Sequence, residues 1–178
     1  MRIIAGTRRG LRLDSLDGLA TRPTLGRVKE AVFSSIAPEL PGARVLDLFA
    51  GSGALGLEAL SRGAAACTFV DGSAAAMAVV RKNAGKARFL ESAAFIRSDW
   101  RAFAVRYDGP PFDVAFLDPP YKLWDGSDIL DCLHKHGLLG VGALAVAESS
   151  KDKLPAAQGL TLWKQKQYGA TAITFWRA

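Results

Sequence analysis

An α/β fold built on one mostly parallel sheet with helices on both faces is what this sequence of 178 residues predicts. Three observations carry that expectation. Short, nearly unbroken apolar segments at 44–49, 66–70, 112–117 and 143–147 alternate with helical ones, as strands buried on both faces do. The first of these segments runs directly into a glycine-rich turn and a helix. The last two predicted strands, 160–167 and 171–177, follow one another closely and read as an antiparallel pair that closes the sheet.

Taken in order, residues 2–5 and 10–13 read as two short strands joined by Thr7-Arg8-Arg9-Gly10, a hairpin. Thr24 is positioned to cap a helix over roughly 25–37, on which Val28, Val32 and Ile36 share a face. Pro38 and Pro41 end it. After the strand 44–49 comes a helix over about 54–62 that stops at Gly63. After the strand 66–70, Ser73 is placed to cap a helix to about 84. A strand near 94–98 ends at Asp99, and a helix over roughly 126–136 follows the strand 112–117. No repeat, low-complexity tract or linker divides the chain, so one domain is expected over 1–178, with an N-terminal extension (1–40) and a catalytic core (41–178).

Composition narrows the classes. Hydrophobic residues make up 49% and charged residues 22%, ordinary for a globular protein, and no apolar run approaches the ~18 residues of a membrane helix. The opening Met1-Arg2-Ile3-Ile4-Ala5-Gly6 leads straight into polar and basic residues, so no secretory signal is expected and the cytoplasm is the expected compartment. Cys67 and Cys132 each lie in an apolar stretch and read as small, reduced core residues. Cys132, His134 and His136 are spaced so that, on a helix, they diverge, and no metal is expected. The net charge is +6, which favours a polyanionic partner. Arg2, Arg8, Arg9, Arg12, Arg22, Arg27 and Lys29 crowd the first thirty residues against Asp14, Asp17 and Glu30.

Two motifs carry chemistry. In Val45-Leu46-Asp47-Leu48-Phe49-Ala50-Gly51-Ser52-Gly53-Ala54-Leu55-Gly56, the residues Gly51, Gly53 and Gly56 fit G-x-G-x-x-G, with Asp71 closing the next strand. Glycines there allow a tight turn and close approach to a ligand, and Asp71 can accept both ribose hydroxyls of an adenosine. Asp47 distinguishes this loop from a dinucleotide site. A carboxylate just before the turn would crowd a pyrophosphate, yet suits the ammonium of S-adenosylmethionine. The alternative is that Asp47 only caps the turn.

The second motif, Asp118-Pro119-Pro120-Tyr121, ends the strand 112–117 at the same sheet edge. An exocyclic base nitrogen is a poor nucleophile because its lone pair is delocalised into the ring. Hydrogen bonds from it to the Asp118 carboxylate and the Pro119 carbonyl would localise that pair, with the prolines fixing the acceptors in place. Tyr121 can stack on the base. No general base is needed, because the amine acidifies once methylated. Read without chemistry, the same tetrapeptide is a Pro-Pro turn with a capping Asp and a packed Tyr.

On these residues the chain resembles the class I methyltransferases that act on amino nitrogens. More narrowly, it resembles the bacterial family that methylates a guanine N2 in 16S, small-subunit ribosomal RNA. The resemblance spans nearly the whole chain, through Arg2-Ile3-Ile4-Ala5-Gly6, Arg9-Gly10, Arg22-Pro23-Thr24, the helix with Arg27, Val28, Glu30 and Phe33, Asp47 to Gly53, Gly56 to Gly63, and Asp118 to Tyr121. It implies a Rossmann-like, seven-stranded sheet with an antiparallel last strand, and S-adenosylmethionine held by Asp47, Phe49, Gly51, Ser52, Gly53, Asp71, Asp99 and Trp100. Asp99 would contact the adenine amino group, with Trp100 beside the ring. It further implies Asp118, Pro119, Pro120 and Tyr121 as the catalytic set and ribosomal RNA, within a small-subunit particle, as substrate. Arg8, Arg9, Arg12 and Arg22 are the expected RNA-docking residues. The chain departs from the family at Asp71-Gly72-Ser73, where a Glu is more usual, and over 83–95.

Three other functions share parts of this pattern. A DNA adenine-N6 methyltransferase uses the same tetrapeptide but usually carries an added DNA-reading region. A protein-glutamine methyltransferase usually has Asn where Asp118 stands. A catalytically silent RNA-binding protein would not need Asp47, Gly51, Gly53, Asp118 and Tyr121 intact.

Overall fold

The computed structural model describes residues 1–16, 24–119 and 127–178. Within them, the elements are α1 (Thr24–Ser35), β1 (Arg44–Leu48), α2 (Ala54–Ser61), β2 (Ala66–Asp71), α3 (Ala74–Ala87), β3 (Ala93–Arg97), α4 (Trp100–Arg106), β4 (Phe112–Leu117), α5 (Ser127–Lys135), β5 (Leu139–Ser150), β6 (Thr161–Tyr168) and β7 (Thr171–Arg177). The seven strands form one sheet in the order β3-β2-β1-β4-β5-β7-β6. β7 runs antiparallel to both of its neighbours, and β1 to β5 pair in parallel. This is the class I methyltransferase architecture that the resemblance implies.

The sheet divides the core because side chains alternate across a strand. Val45, Phe69, Val114, Phe116, Val146 and Phe175 face α1, α2 and α3, packing against Val28, Val32, Phe33, Leu57 and Val80. Leu46, Leu48, Val70, Ala115, Leu117 and Trp176 face the other way, against Phe103 of α4 and Ile129, Leu130 and Leu133 of α5. The central strands β1 and β4 are covered on both faces, which is why their sequences read as apolar runs rather than alternations, whereas β3 at the sheet edge is partly exposed.

Several expectations need correction. The predicted N-terminal hairpin is reduced to a single antiparallel bridge, Arg2 to Arg12, with Ile3 N–H bonded to the Leu11 carbonyl at 3.0 Å and Leu13 N–H to that of Met1 at 2.9 Å. α1 begins at Thr24, so the residue expected to cap it lies inside its first turn. Helix α4, over 100–106, was not expected, although Asp99 starts it by accepting from the backbone N–H of Arg101 at 3.0 Å and of Ala102 at 3.1 Å. β5 starts at Leu139 rather than near 143, because Gly140 and Gly142 interrupt the apolar pattern without interrupting the strand. Ser73 caps α3 as expected, accepting from Ala76 N–H at 3.3 Å, and the helix runs on to Ala87.

The N-terminal extension is fastened to the core by one buried carboxylate. Glu58 of α2, with no solvent exposure, accepts from the backbone N–H of Ile4 at 2.7 Å and of Ala5 at 3.0 Å. The same carboxylate pairs with the Lys29 ammonium of α1 at 2.9 Å and with Arg62 Nε at 2.8 Å. Next to it, Ser61 Oγ donates to the Ala5 carbonyl at 2.6 Å and accepts from Arg8 N–H at 3.0 Å. Gly6 passes so close to α2 that a Cβ there would lie 1.8 Å from the Ser61 carbonyl oxygen, at a φ of +82°. The Arg2-to-Gly6 and Gly56-to-Gly63 motifs, 50 residues apart in sequence, are therefore the two halves of one joint. Lys29 belongs to this joint and is buried, so it is not part of the basic surface counted from the sequence.

Candidate active site at the carboxyl edge of the sheet

Strand order reverses between β1 and β4, since the chain winds outward through β2 and β3 and then returns to β4. At that point, beyond the carboxyl ends of β1 and β4, sheets of this kind hold their ligands in a crevice. The loop 49–53 and Asp118 both stand at that point.

The glycine loop is a strained and heavily bonded turn. Phe49 adopts a φ of +70°, a left-handed conformation that costs a bulky residue free energy and is concentrated at functional sites. It is held there because Phe49 N–H and Ala50 N–H both donate to the Val70 carbonyl, at 2.9 and 3.0 Å. The glycines have different jobs. At Gly53 a Cβ would lie 2.3 Å from Val80 Cγ2, and at Gly56 2.4 Å from Phe69 Cε1, so both serve the packing of α2 against the sheet and α3. At Gly51, with φ +54°, a Cβ would meet nothing closer than the Phe49 carbonyl at 4.0 Å. Only Gly51 leaves the backbone open to a ligand.

Asp47 is 2% exposed, and its Oδ2 accepts from Gly56 N–H at 2.8 Å. Burial, outweighing that bond and reinforced by the charges of Asp118 and Asp71, raises its carboxyl to about 7. A buried carboxylate with this shift is poised to receive a cation, because an ammonium beside its other oxygen would restore the charged form. Asp71 closes β2, with Oδ2 accepting from Gly51 N–H at 2.9 Å and Oδ1 from Ser73 N–H at 2.8 Å, so it binds the loop to the start of α3. Asp99 is exposed beyond the end of β3 as the cap of α4. Trp100 is half-buried behind it, under the Arg101 guanidinium at 4.6 Å. Asp47, Asp71 and Asp99 thus follow one another along the carboxyl ends of β1, β2 and β3.

On the other side of the crevice, Asp118 follows β4 directly. Its side chain is reached by solvent yet crowded by protein, and desolvation raises its carboxyl to about 6. Pro119 is buried beside it. Pro120 and Tyr121 lie outside the described residues, as does Arg22. Arg9 and Arg12 are exposed, whereas Arg8 is partly used by the fold: its Nε donates to the Ala87 carbonyl at 2.7 Å and its guanidinium lies 5.6 Å from the Phe89 ring centre.

Three residues around the site were not read from the sequence. Glu58 is the joint described above. Asn83, fully buried on α3, donates to the Ser52 carbonyl at 2.9 Å and the Asp14 carbonyl at 3.0 Å while accepting from Asp14 N–H at 2.8 Å, so it fixes the glycine loop and the extension together. Glu148 of β5 lines a cavity with Asp118, Phe116, Val146 and Ile173, walled on the α1 side by Val28 and Val32. An Asn in a helix or a Glu in a strand has no local signature, and only the pairing of distant segments gives these residues a role.

A model of the family described as Conserved hypothetical protein 95 matches residues 1–177. Ribosomal RNA small subunit methyltransferase D of Escherichia coli is 36% identical, with the match covering 99% of this chain and 89% of that protein. The chain belongs to this methyltransferase family. A second relative, the candidate rRNA methyltransferase YlbH of Bacillus subtilis, is 38% identical over 99% of this chain and 98% of its own. Among solved structures, the candidate methyltransferase yhhF of Escherichia coli superposes with a TM-score of 0.89 at 36% identity, covering 99% of this chain and 97% of that one. These relatives match along nearly the whole chain, the N-terminal extension included. None of the described helices is long and apolar enough to cross a membrane.

The Asp47 geometry separates two roles with one substitution. Asp47→Asn keeps an acceptor for Gly56 N–H but removes the charge. Affinity for S-adenosylmethionine by calorimetry should weaken by about 1–3 kcal/mol, the scale of a charge-assisted hydrogen bond. The thermal midpoint should hold or rise, because an unpaired buried charge has been removed. Unchanged affinity would leave Asp47 as a turn cap alone.

Proposed function

We propose that the chain methylates the exocyclic N2 of a guanine in small-subunit ribosomal RNA, with S-adenosylmethionine as methyl donor. The carrying observation is the placement of Asp118 and Pro119 directly across the strand-order reversal from an open Gly51 loop. A donor bound along β1 to β3 would meet at that crevice an amine held at the end of β4. The residues fit S-adenosylmethionine: Asp47 offers a buried carboxylate to its ammonium, Gly51 leaves room for its backbone approach, and Asp71 has acceptor positions left for ribose hydroxyls. Asp99 would take the adenine amino group beside Trp100, with Phe49 and Ser52 completing the loop. When bound, this cofactor supplies an electrophilic methyl group.

The chain's own residues supply orientation. The Asp118 carboxylate and the Pro119 carbonyl accept the two amino N–H bonds, which draws the nitrogen lone pair out of conjugation and toward the methyl. The base has to leave its stack to reach this depth, and Tyr121 is assigned to stack against it. The name of the Escherichia coli relative, ribosomal RNA small subunit methyltransferase D, favours small-subunit ribosomal RNA over DNA or protein. With little surface for reading a long sequence, the chain should recognise a folded, protein-bearing particle by shape. The test is to incubate ribosomal particles that lack the modification with labelled cofactor and identify the methylated nucleoside by mass spectrometry. N2-methylguanosine is expected; N6-methyladenosine, or label only in DNA or protein, would refute the assignment.

RNA docking is assigned to the exposed Arg9 and Arg12, with Arg22, and only in part to Arg8. Neutralising Arg9 and Arg12 together should flatten the slope of log affinity against log salt by about 1–2, one phosphate contact each. Stability should change by less than about 0.5 kcal/mol, because both side chains are exposed. An unchanged slope would make them solvated surface charge. Neutralising Arg8 as well should cost stability, through Ala87 and Phe89.

A further inference from the structure

We propose that Glu148 selects guanine by accepting a hydrogen bond from its ring N1–H, beside the N2 amine held by Asp118; this rests on the guanine reading above. Leu117 pairs with Ala147 in parallel register, so Asp118 and Glu148 stand level on neighbouring strands. Their side chains open into the same cavity, whose other described walls are largely apolar: Phe116, Val146 and Ile173 from the sheet, with Val28 and Val32 from α1. Two carboxylates side by side in one cavity present two adjacent acceptors. Burial, and then the Asp118 charge, raise Glu148 to about 7. A ligand edge that carries two adjacent hydrogen-bond donors matches such a pair.

Among the common bases, guanine has that edge: N1–H next to the N2 amine. Adenine and cytosine also present an exocyclic amine, but the ring nitrogen beside it carries a lone pair. An ionised Glu148 would face that lone pair with no proton between them, leaving two buried acceptors opposed. Asp118 alone can accept from any of the three amines. The second, level carboxylate makes the choice. Among the described residues of the cavity wall, Lys29 is also polar, but its ammonium is on Glu58 and on the Arg2 carbonyl at 2.9 Å, so it is committed to the joint rather than the base. A carboxylate has about four acceptor positions, enough for a ring N–H alongside the contacts Glu148 makes within the protein.

2,6-Diaminopurine isolates the contact, because it keeps the 2-amino group but has a lone pair at N1. Small-subunit particles would be assembled on RNA carrying either guanine or diaminopurine at the target position, with transfer measured at pH 8, where both carboxylates are charged. Wild-type protein should prefer guanine by at least about 100-fold, the scale on which a site built to hydrogen-bond a ring N–H rejects an analogue that lacks it. Glu148→Gln can present either its carbonyl or its amide N–H to N1, so its preference should drop to within about tenfold of parity. Equal wild-type rates on the two bases would overturn the proposal, and so would full guanine preference retained by Glu148→Gln. If the variant does not fold, the wild-type ratio still decides. Wild-type activity that yields no N2-methylguanosine on the guanine particle would overturn the parent reading instead.

Discussion

Asp118→Ala should slow methyl transfer by about 100-fold or more at saturating RNA and cofactor, the loss typical of one preorganised polar group. Its affinity for S-adenosylmethionine should change by less than about 1 kcal/mol, because Asp118 is assigned no hydrogen bond to the cofactor and reaches Asp47 only through its charge. In the proposed mechanism Asp118 serves the amine best as a carboxylate, the stronger acceptor. With its carboxyl raised to about 6 by desolvation, the wild-type rate should fall as pH drops through that value. Glu148 and Asp47, both raised to about 7, face the same crevice and should begin the decline at higher pH. Asp118→Asn keeps a carbonyl acceptor for the amine but loses the charge, so its transfer should fall between those of wild type and Asp118→Ala, and it should lose the lowest-pH part of the decline. Near-normal turnover in Asp118→Ala, measured with enough RNA to exclude a binding defect, would reduce Asp118 to the end of a strand.

Glu58→Ala should be the most destabilising of the substitutions considered, by about 3–5 kcal/mol, as when one partner of a buried ion pair is removed. For a domain of this size that is roughly 10 °C in Tm. The physical loss is specific: the Lys29 ammonium is left buried with neutral carbonyls, and the N–H groups of Ile4 and Ala5 lose their acceptor. Substituting both members, Lys29→Met with Glu58→Leu, should recover only part of the stability. It removes the stranded charge but not the two stranded amides. Burial pushes the Glu58 carboxyl up, but Lys29, the Ile4 amide and Arg62 outweigh it and hold it below the ordinary Glu range. Its contribution is therefore complete above the unfolded-state value of about 4.3 and is lost as pH falls through the lower folded value. Chemical denaturation at pH 7 and pH 3 measures both effects. A loss under about 1 kcal/mol at pH 7 would mean that the joint is not holding the extension.

Because α1 walls the cavity that holds Asp118 and Glu148, loosening the joint should also reach catalysis. The extension would then shape the active site as well as the RNA-facing surface proposed above.

By itself the sequence determined the sheet, the glycine loop and the place of Asp118 at a strand end. Strands buried on both faces must be apolar throughout, a tight turn must be built from glycines, and a strand end is marked by contiguous residues. Each of these signals is local. Tertiary structure alone decided what joins segments distant in sequence. Glu58 is an unremarkable helical glutamate until Ile4, Ala5 and Lys29 converge on it. Lys29 counts as surface charge until α1 packs down, and Glu148 is a polar residue in an apolar strand until parallel register sets it level with Asp118. Strand register and helix docking are fixed by the packing of the whole core, and no window of neighbouring residues contains that information.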